Sequence, residues 1–554
     1  MEEQKKKIRG GDVLVKCLLE ESVKKIFGIT GGQLLTIYEA VYSWGREKGI
    51  DTVMFRHEQA AAHAADAWAR VTNTPGVCMG TVGPGATHLV PGVGAAWGDN
   101  IPVIAIVPQV RSQDIDRFAL QGGLDQITMF KPITKYQKSV RKIEDIPDAI
   151  RKSFREATGG RPRPVLLELY EDALIEEIEE DKVSILTKNQ YRAIEKPAVD
   201  NKLIKESLNL LMNAKNPLII SGGGVSRAEA WNELQEFAEY LQIPVITTIM
   251  GIGTISNQSK CHLGISIGAN PSMGRDTDVI LSLGCKFSFV VGYGAEPAWN
   301  DSQKLIQVDI DSGMIGRNKP VTLGIVGDCK SFLTQILDEV KHTERIKTRE
   351  WLNKLIKAKQ QNETVLKKSA QNDNIPITPD RMVKEVLEFI DEDAILIIDG
   401  GNISGSTYRQ LHLYKDRKPL STLQAIGMGH LGTSVPYGIG VKLAKPEKQV
   451  VSISGDGSFM INIQDLETAV RLGLKNLIYI VANNNAWGMI KSVQQFYFKQ
   501  HYIDTDIPEF DNGKCAEGFG CYGESVSDPS EIKNALERAK NSNKPAVIDI
   551  KIKF

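Results

Sequence analysis

Residues 449–454 form a β-branched run that stops at Gly455-Asp456-Gly457-Ser458, which predicts a strand buried in a parallel sheet. Apolar residues then recur at Ile463, Leu466, Ala469 and Val470, a helical spacing, before a second run at 477–482 opens onto Asn483-Asn484-Asn485. Strand, helix and strand in that order make a right-handed crossover, so both polar tips emerge on one edge of one sheet. The same grammar recurs elsewhere. A strand at 52–55 leads into His57-Glu58-Gln59 and a helix of small residues; one at 216–220 ends in Gly222-Gly223-Gly224; one at 304–308 ends in Asp309-Ile310-Asp311; one at 394–398 precedes Gly401-Asn402.

Two stretches break this pattern, a mixed charged one at 180–202 and one rich in Lys, Gln and Asn at 343–376, and both read as linkers. A chain of 554 residues is too long for one core and suggests about three domains. The expected fold is α/β, three doubly wound parallel-sheet domains, at 1–185, 200–343 and 376–554.

Charge adds little: 67 basic residues stand against 68 acidic ones, and no basic block exceeds Lys5-Lys6-Lys7, so nucleic-acid binding is not indicated. No apolar run is long enough to span a membrane and the charged N-terminus lacks a secretory apolar core, so a cytoplasmic location is expected. The seven cysteines show no zinc-type spacing and read as reduced packing residues.

The chemistry lies at the strand ends. Asp456, an asparagine amide and a nearby backbone carbonyl form an all-oxygen set that suits octahedral Mg²⁺, completed by phosphate oxygens and water. Glycines let the backbone approach phosphates, and a following helix N-terminus adds its dipole. An ordinary βα turn uses Gly and Asp as well; the asparagines at the next strand end favour the metal and diphosphate. In the middle block, Gly222, Gly223 and Asp309 suit a nucleotide, the carboxylate reaching ribose hydroxyls, or are a bare turn.

Gly-Asp-Gly followed one crossover later by Asn-Asn resembles the thiamine diphosphate signature. With Phe27-Gly28-Ile29-Thr30-Gly31-Gly32, the segment from Phe55 through Glu58, and Gly83-Pro84-Gly85-Ala86-Thr87-His88, the chain over essentially its whole length looks like the acetolactate synthase and 2-hydroxyacyl-CoA lyase (oxalyl-CoA decarboxylase-like) branch of thiamine diphosphate enzymes. The resemblance implies a pyrimidine-binding first domain, a nucleotide-site-like central domain and a diphosphate-binding last domain. It makes Glu58 the activating acid, which an apolar setting would keep protonated near neutrality. It makes Asp456, Asn484 and the Ala486 carbonyl the metal ligands, and Leu431, in Gly429-His430-Leu431-Gly432, the apolar wedge that bends the cofactor. Gly31, Gly83, His88, Gly401, Asn402, Gly429, Gly455, Gly457, Ser458, Trp487, Gly488 and Met489 fall at cofactor contacts. His57 and His88 either relay protons or are structural histidines.

The resemblance also places Leu120, Gln121, Trp487, Ile490 and Val493 around the substrate, Gln121 hydrogen-bonding a carbonyl or hydroxyl. Synthases of this branch carry FAD in the central domain, and the lyases ADP or room for coenzyme A. Residues 284–294 lack the arginine of the flavin-binding run, Leu120 replaces a phenylalanine and Val493 a tryptophan of the synthases. These departures favour a lyase that cleaves a 2-hydroxyacyl-CoA to an aldehyde or ketone and formyl-CoA, although the closing lid of such lyases is missing after residue 554. The alternatives are an acetolactate synthase large subunit acting on two 2-oxo acids, and a non-catalytic nucleotide-binding relative. Assembly as a homodimer or homotetramer is implied, the first domain of one chain facing the last domain of another.

Overall fold

The computed structural model describes residues 6–193, 195–265 and 271–554, which leaves Lys5 of the basic block outside the described residues. Three six-stranded sheets, every neighbouring pair parallel, follow one another along the chain. The first runs Asp51–Met54, Lys25–Gly28, Gly76–Met79, Val103–Gln109, Val165–Tyr170, Tyr136–Val140 from edge to edge. The second runs His262–Ile265, Val245–Thr247, Pro217–Ser221, Val279–Leu283, Lys304–Asp309, Leu323–Val326. The third runs Thr422–Leu423, Ile395–Ile398, Val450–Gly455, Leu477–Asn483, Ala546–Lys551, Tyr522–Val526.

Numbered within each sheet, the first and third share the order 2-1-3-4-6-5, whereas the second is 3-2-1-4-5-6. The order reverses beside the first strand of each sheet, and such a reversal opens a crevice at the carboxyl ends where ligands bind. In the third sheet that crevice lies between Ile395–Ile398 and Val450–Gly455, so Gly400, Gly401, Gly455 and Asp456 border it. In the second it lies between Pro217–Ser221 and Val279–Leu283, bordered by Gly222 and Gly284.

Four helices border the site, α1 (Glu58–Thr72), α2 (Pro84–Asp99), α4 (Ser434–Ala444) and α5 (Gly488–Tyr497), and a fifth, α3 (Glu350–Ser369), packs on the second sheet. In α1 the residues Ala60, Ala61, Ala62, Ala64, Ala65, Ala67 and Ala69 are all fully buried. Their small size lets other backbones come close. A Cβ on Gly440 of α4 would lie 2.4 Å from the Ala64 carbonyl oxygen, and one on Gly92 of α2 would lie 2.4 Å from Ala62 Cβ. The first and third sheets are therefore joined through helices in near-backbone contact. That seam encloses charge: Arg70 of α1 donates to Asp66 at 2.9 Å and to Asp99 at 2.9 Å, and Tyr437 of α4 donates to Asp66, with all four side chains buried. Removing one partner of such a buried set costs about 3–5 kcal/mol.

Two local expectations change. The stretch 343–376 is largely helix: α3 buries Trp351, Leu352, Leu355 and Leu366, and Lys359 donates to the His262 carbonyl at 2.8 Å. Its many lysines and amides lie on the exposed faces and hid a sparse apolar stripe. The single helix expected from Ile463 is instead Asp456–Met460, a 3-10 turn Ile463–Asp465, and Leu466–Arg471. Among the described residues no helix is long and apolar enough to cross a membrane.

Candidate functional site

Asp456 starts its short helix from an extended Gly455, and the carboxylate is only 5% exposed. One oxygen, Oδ1, accepts the Gly457 N–H at 2.8 Å; the other, Oδ2, is buried without a hydrogen-bond partner. Burial raises the Asp456 carboxyl above its ordinary range, against the N–H groups of Gly457, Asn485, Ala486 and Asn484, which favour the charge. The crossover thus brings the Gly-Asp-Gly turn against the asparagine loop. An unpaired buried carboxylate oxygen is costly, and a divalent cation satisfies it.

The three asparagines divide their work. Asn483 is 2% exposed, donates to the Phe510 carbonyl at 3.0 Å and to Asp549 at 3.1 Å, and accepts the Asn485 N–H at 3.2 Å. Its side chain is consumed in holding the loop. Asn484 is half-buried and lies beside Gly488, its Nδ2 2.9 Å from where a Cβ at 488 would sit. Asn485 occupies the left-handed region at φ 52°. The Ala486 carbonyl accepts the Gly488 N–H at 2.8 Å, which leaves one lone pair for a further ligand. Asn402 donates to Ser492 of α5 at 3.1 Å and also approaches Gly488. Gly401 has φ 107°, a conformation that side chains disfavour. The Trp487 ring lies over Gly457, 3.0 Å from a Cβ built there.

Leu431 crosses directly over Gly400: a Cβ at 400 would be 1.8 Å from Leu431 Cδ2. Behind it, Gly432 N–H donates to Ser458 Oγ at 2.9 Å, and Gly429 turns at φ 65°. Asp399, buried beneath this loop, accepts the N–H groups of Gly400 at 2.7 Å and Ser434 at 2.9 Å. Sequence reading passed over Asp399; its signal was an acidic residue closing the apolar run at 394–398. Met489, Ile490 and Val493 are exposed along α5, and Phe496 and Tyr497 follow them, so this helix presents an uncovered apolar face.

The crevice of the first sheet holds the other half of the expected site. Glu58 opens α1 and is buried, its Oε2 3.0 Å from His88 Nδ1. His57 caps α1, its Nδ1 accepting the Gln59 N–H at 3.1 Å, and its ring stacks on His88 with centroids 4.4 Å apart. Gly83 has φ 71°, donates to Gln126 at 3.1 Å, and leaves only 2.6 Å between a Cβ and the Gln121 carbonyl oxygen. Gly31 abuts Thr81, whose Oγ1 a Cβ would meet at 2.5 Å. Leu120 and Gln121 sit on an exposed loop beside Gly83, Gln121 at φ 65°. These residues come from loops after four neighbouring strands of one sheet edge. Leu120 and Gln121 thus belong to the first half, whereas Trp487, Ile490 and Val493 belong to the last.

In the middle, a cavity of about 260 Å³ is walled by Gly223, Gly284, Lys286 and Asp309 of the second sheet, by Arg161 of the first third, and by Gly427. Gly222 packs against Gly284, 2.3 Å from its carbonyl oxygen to a Cβ at 222. Burial raises the Asp309 carboxyl, which accepts the Asp311 N–H at 2.9 Å. Lys286 donates to the Gly98 carbonyl at 2.9 Å. The cysteines form no disulfide, and Cys285 and Cys329 line this cavity.

Three family profiles match the chain in order: the thiamine pyrophosphate enzyme N-terminal TPP binding domain over residues 8–129, the central domain over 204–336 and the C-terminal TPP binding domain over 399–550. A probable acetolactate synthase large subunit of Methanocaldococcus jannaschii is 35% identical, covering 98% of this chain and 92% of its own length. The acetolactate synthase large subunits of Cyanidium caldarium and Haemophilus influenzae are 33% and 32% identical over 98% and 99% of this chain, and 92% and 95% of theirs.

Proposed function

Since the chain belongs to the acetolactate synthase group of thiamine pyrophosphate-dependent enzymes, we propose that it joins two 2-oxo acids, with loss of CO₂ from the first, as an acetolactate synthase catalytic subunit. The observation that carries this reading is likeness to synthase large subunits along nearly the full length of both partners in each comparison. The preference for a 2-hydroxyacyl-CoA lyase is given up: it rested on Leu120, Val493 and the run 284–294, and local departures at a substrate wall weigh less than end-to-end similarity. A non-catalytic relative is likewise set aside, because the family is one of enzymes.

Thiamine diphosphate, when bound, supplies the electron sink that makes loss of CO₂ and carbon–carbon joining possible. Asp456, Asn484 and the Ala486 carbonyl would hold Mg²⁺, and Gly401, Asn402, Gly455, Ser458 and Gly488 the diphosphate. Glu58 holds and exchanges the proton on which activation depends. Leu431, seated over Gly400, would support the cofactor, and Gln121 would orient a substrate carbonyl. Trp487, Ile490, Val493 and Leu120 wall the substrate and exclude water. Glu58 and Asp456 stand on different sheets, and a second copy of the chain, covering the apolar face of α5, completes the site. The central cavity, walled by Gly223 and Asp309 with Lys286 and Arg161 at its rim and Gly222 packed against Gly284 beside it, would take ADP or FAD.

Purified protein supplied with pyruvate, thiamine diphosphate and Mg²⁺ should form acetolactate. Formation of formyl-CoA from a 2-hydroxyacyl-CoA, with no acetolactate from pyruvate, would overturn the reading. Small molecules released on denaturation identify the central ligand.

A further inference from the structure

Glu58 is buried, yet the side chain that touches its carboxylate reaches solvent. His88 Nδ1 lies 3.0 Å from Glu58 Oε2, and 46% of the His88 side chain is exposed against 9% for Glu58. An acid that gains and loses a proton in every cycle needs a path for it, and the alanines that follow Glu58 in α1 provide none.

The other titratable groups nearby are poor candidates. His57 spends Nδ1 on the Gln59 N–H, and burial together with His88 holds its pKa below the usual histidine range. Tyr38 faces Glu58 too, but burial and the charge of Glu58 push its phenol well above the ordinary value, so it keeps its proton. What His57 contributes is orientation: stacked at 4.4 Å with the ring planes 29° apart, it fixes the His88 ring so that Nδ1 meets Glu58 and Nε2 lies on the opposite side of the ring.

We propose that His88 is the proton-exchange partner of Glu58, carrying protons between the buried carboxyl and the open cleft. The transfer balances. With Glu58 ionised and the imidazole proton on Nδ1, a hydronium proton binds Nε2 while the Nδ1 proton passes to Oε2. The products are glutamic acid, neutral imidazole protonated on Nε2, and water; the reverse returns the proton. His88 acts through Glu58 and is a positioning and relay residue, and the proposal rests on reading Glu58 as the activating acid.

Two measurements test it. In cofactor-free protein, the His88 ring ¹⁵N resonances followed by NMR should shift on Glu58→Gln, because Nδ1 loses its carboxylate partner; unmoved resonances overturn the proposal. In protein loaded with thiamine diphosphate, exchange of the cofactor C2 proton with D₂O is followed after acid quench. At saturating cofactor, His88→Gln and His88→Asn should each slow exchange by at least about tenfold, and added imidazole should restore exchange in His88→Gly. Unchanged exchange in both variants, or a loss that imidazole does not restore, overturns it. Glu58→Gln is the control: if exchange survives that change, the reading of Glu58 itself fails, whatever His88 does.

Discussion

Asp99 accepts the backbone N–H of Gly427 at 2.8 Å with one carboxylate oxygen and the Arg70 guanidinium at 2.9 Å with the other. Arg70 adds a bond to the Gln424 carbonyl at 2.8 Å, so the first third of the chain grips the start of the loop that carries Leu431. The same loop segment walls the central cavity, which places the nucleotide-like site and the proposed cofactor site on two ends of one short peptide.

Loosening that grip should cost both stability and cofactor binding. Asp99→Ala leaves Arg70 with Asp66 as its one carboxylate partner and the Gly427 N–H unmatched, and should lower unfolding free energy by about 3–5 kcal/mol. Gly427→Ala is the backbone counterpart, since its Cβ would stand 2.2 Å from the Gly98 carbonyl oxygen. Denaturant unfolding measures the first loss; titration of thiamine diphosphate into each variant should show affinity reduced by about tenfold or more, about 1.4 kcal/mol. Unchanged cofactor affinity in both would mean that the grip serves folding only.

Asp456→Asn should separate folding from metal binding. The wild-type side chain keeps a buried oxygen with no partner, so replacing the charge by an amide of equal size should leave the cofactor-free protein at least as stable. Mg²⁺-dependent binding of thiamine diphosphate should fall by about a hundredfold, the loss of an interaction worth about 2.7 kcal/mol. Calorimetric titration with and without a chelator checks this. Chelation should weaken the wild type strongly and the variant little.

Much of this architecture was legible in the residues, and the illegible parts share a cause. Apolar runs ending at Ser454 and Ala482 announced two strands of one sheet, and strand-helix-strand chirality put Asp456 and the asparagines on one edge. Nothing local announced Arg70, Asp66, Asp99 and Tyr437 as one buried cluster, because Asp99 and Tyr437 join the Asp66–Arg70 pair only when α2 and α4 pack on α1. Nor does a motif show that Asn483 is spent on Asp549, a residue of a later strand. Substrate choice was least legible: Leu120 and Val493 lie on exposed surfaces, where few contacts constrain the residue.

Asp465 carries a pH dependence whose sign can be worked out. Its Oδ1 accepts the Arg56 N–H at 2.8 Å and the Thr468 hydroxyl at 2.9 Å, but Oδ2 is buried without a partner. Burial raises its pKa from 3.8 to about 6. The folded chain therefore binds a proton that the unfolded chain has released across that window. Stability from this group is full below about pH 4 and is lost as pH rises through about 6, a change of at most about 3 kcal/mol. Asp465→Asn should abolish the decline, so the stability of the variant relative to wild type should rise from pH 4 to pH 7 by about 1–3 kcal/mol. Unfolding curves at the two pH values decide it; a difference that stays flat would contradict the burial argument.

Gly400 and Leu431 form the pair in which shape alone can be tested. Gly400→Ala sets a methyl 1.8 Å from Leu431 Cδ2, so either the leucine swings away or the strand end shifts. Overpacking of this kind costs about 1–3 kcal/mol. In a Leu431→Ala background the obstacle is gone, and the same glycine change should cost less than about 0.5 kcal/mol. The two changes are therefore coupled by at least about 1 kcal/mol in a double-mutant cycle on stability. Turnover should behave differently. Leu431→Ala removes the side chain proposed to support the cofactor and should lower kcat by about tenfold or more, a change of about 1.4 kcal/mol in barrier. Gly400→Ala, by displacing the same side chain, should lower kcat nearly as far, and the double variant should fall no lower than either. If the losses in kcat multiply instead, Leu431 does not act through its position over Gly400, and the wedge must be sought elsewhere in the loop.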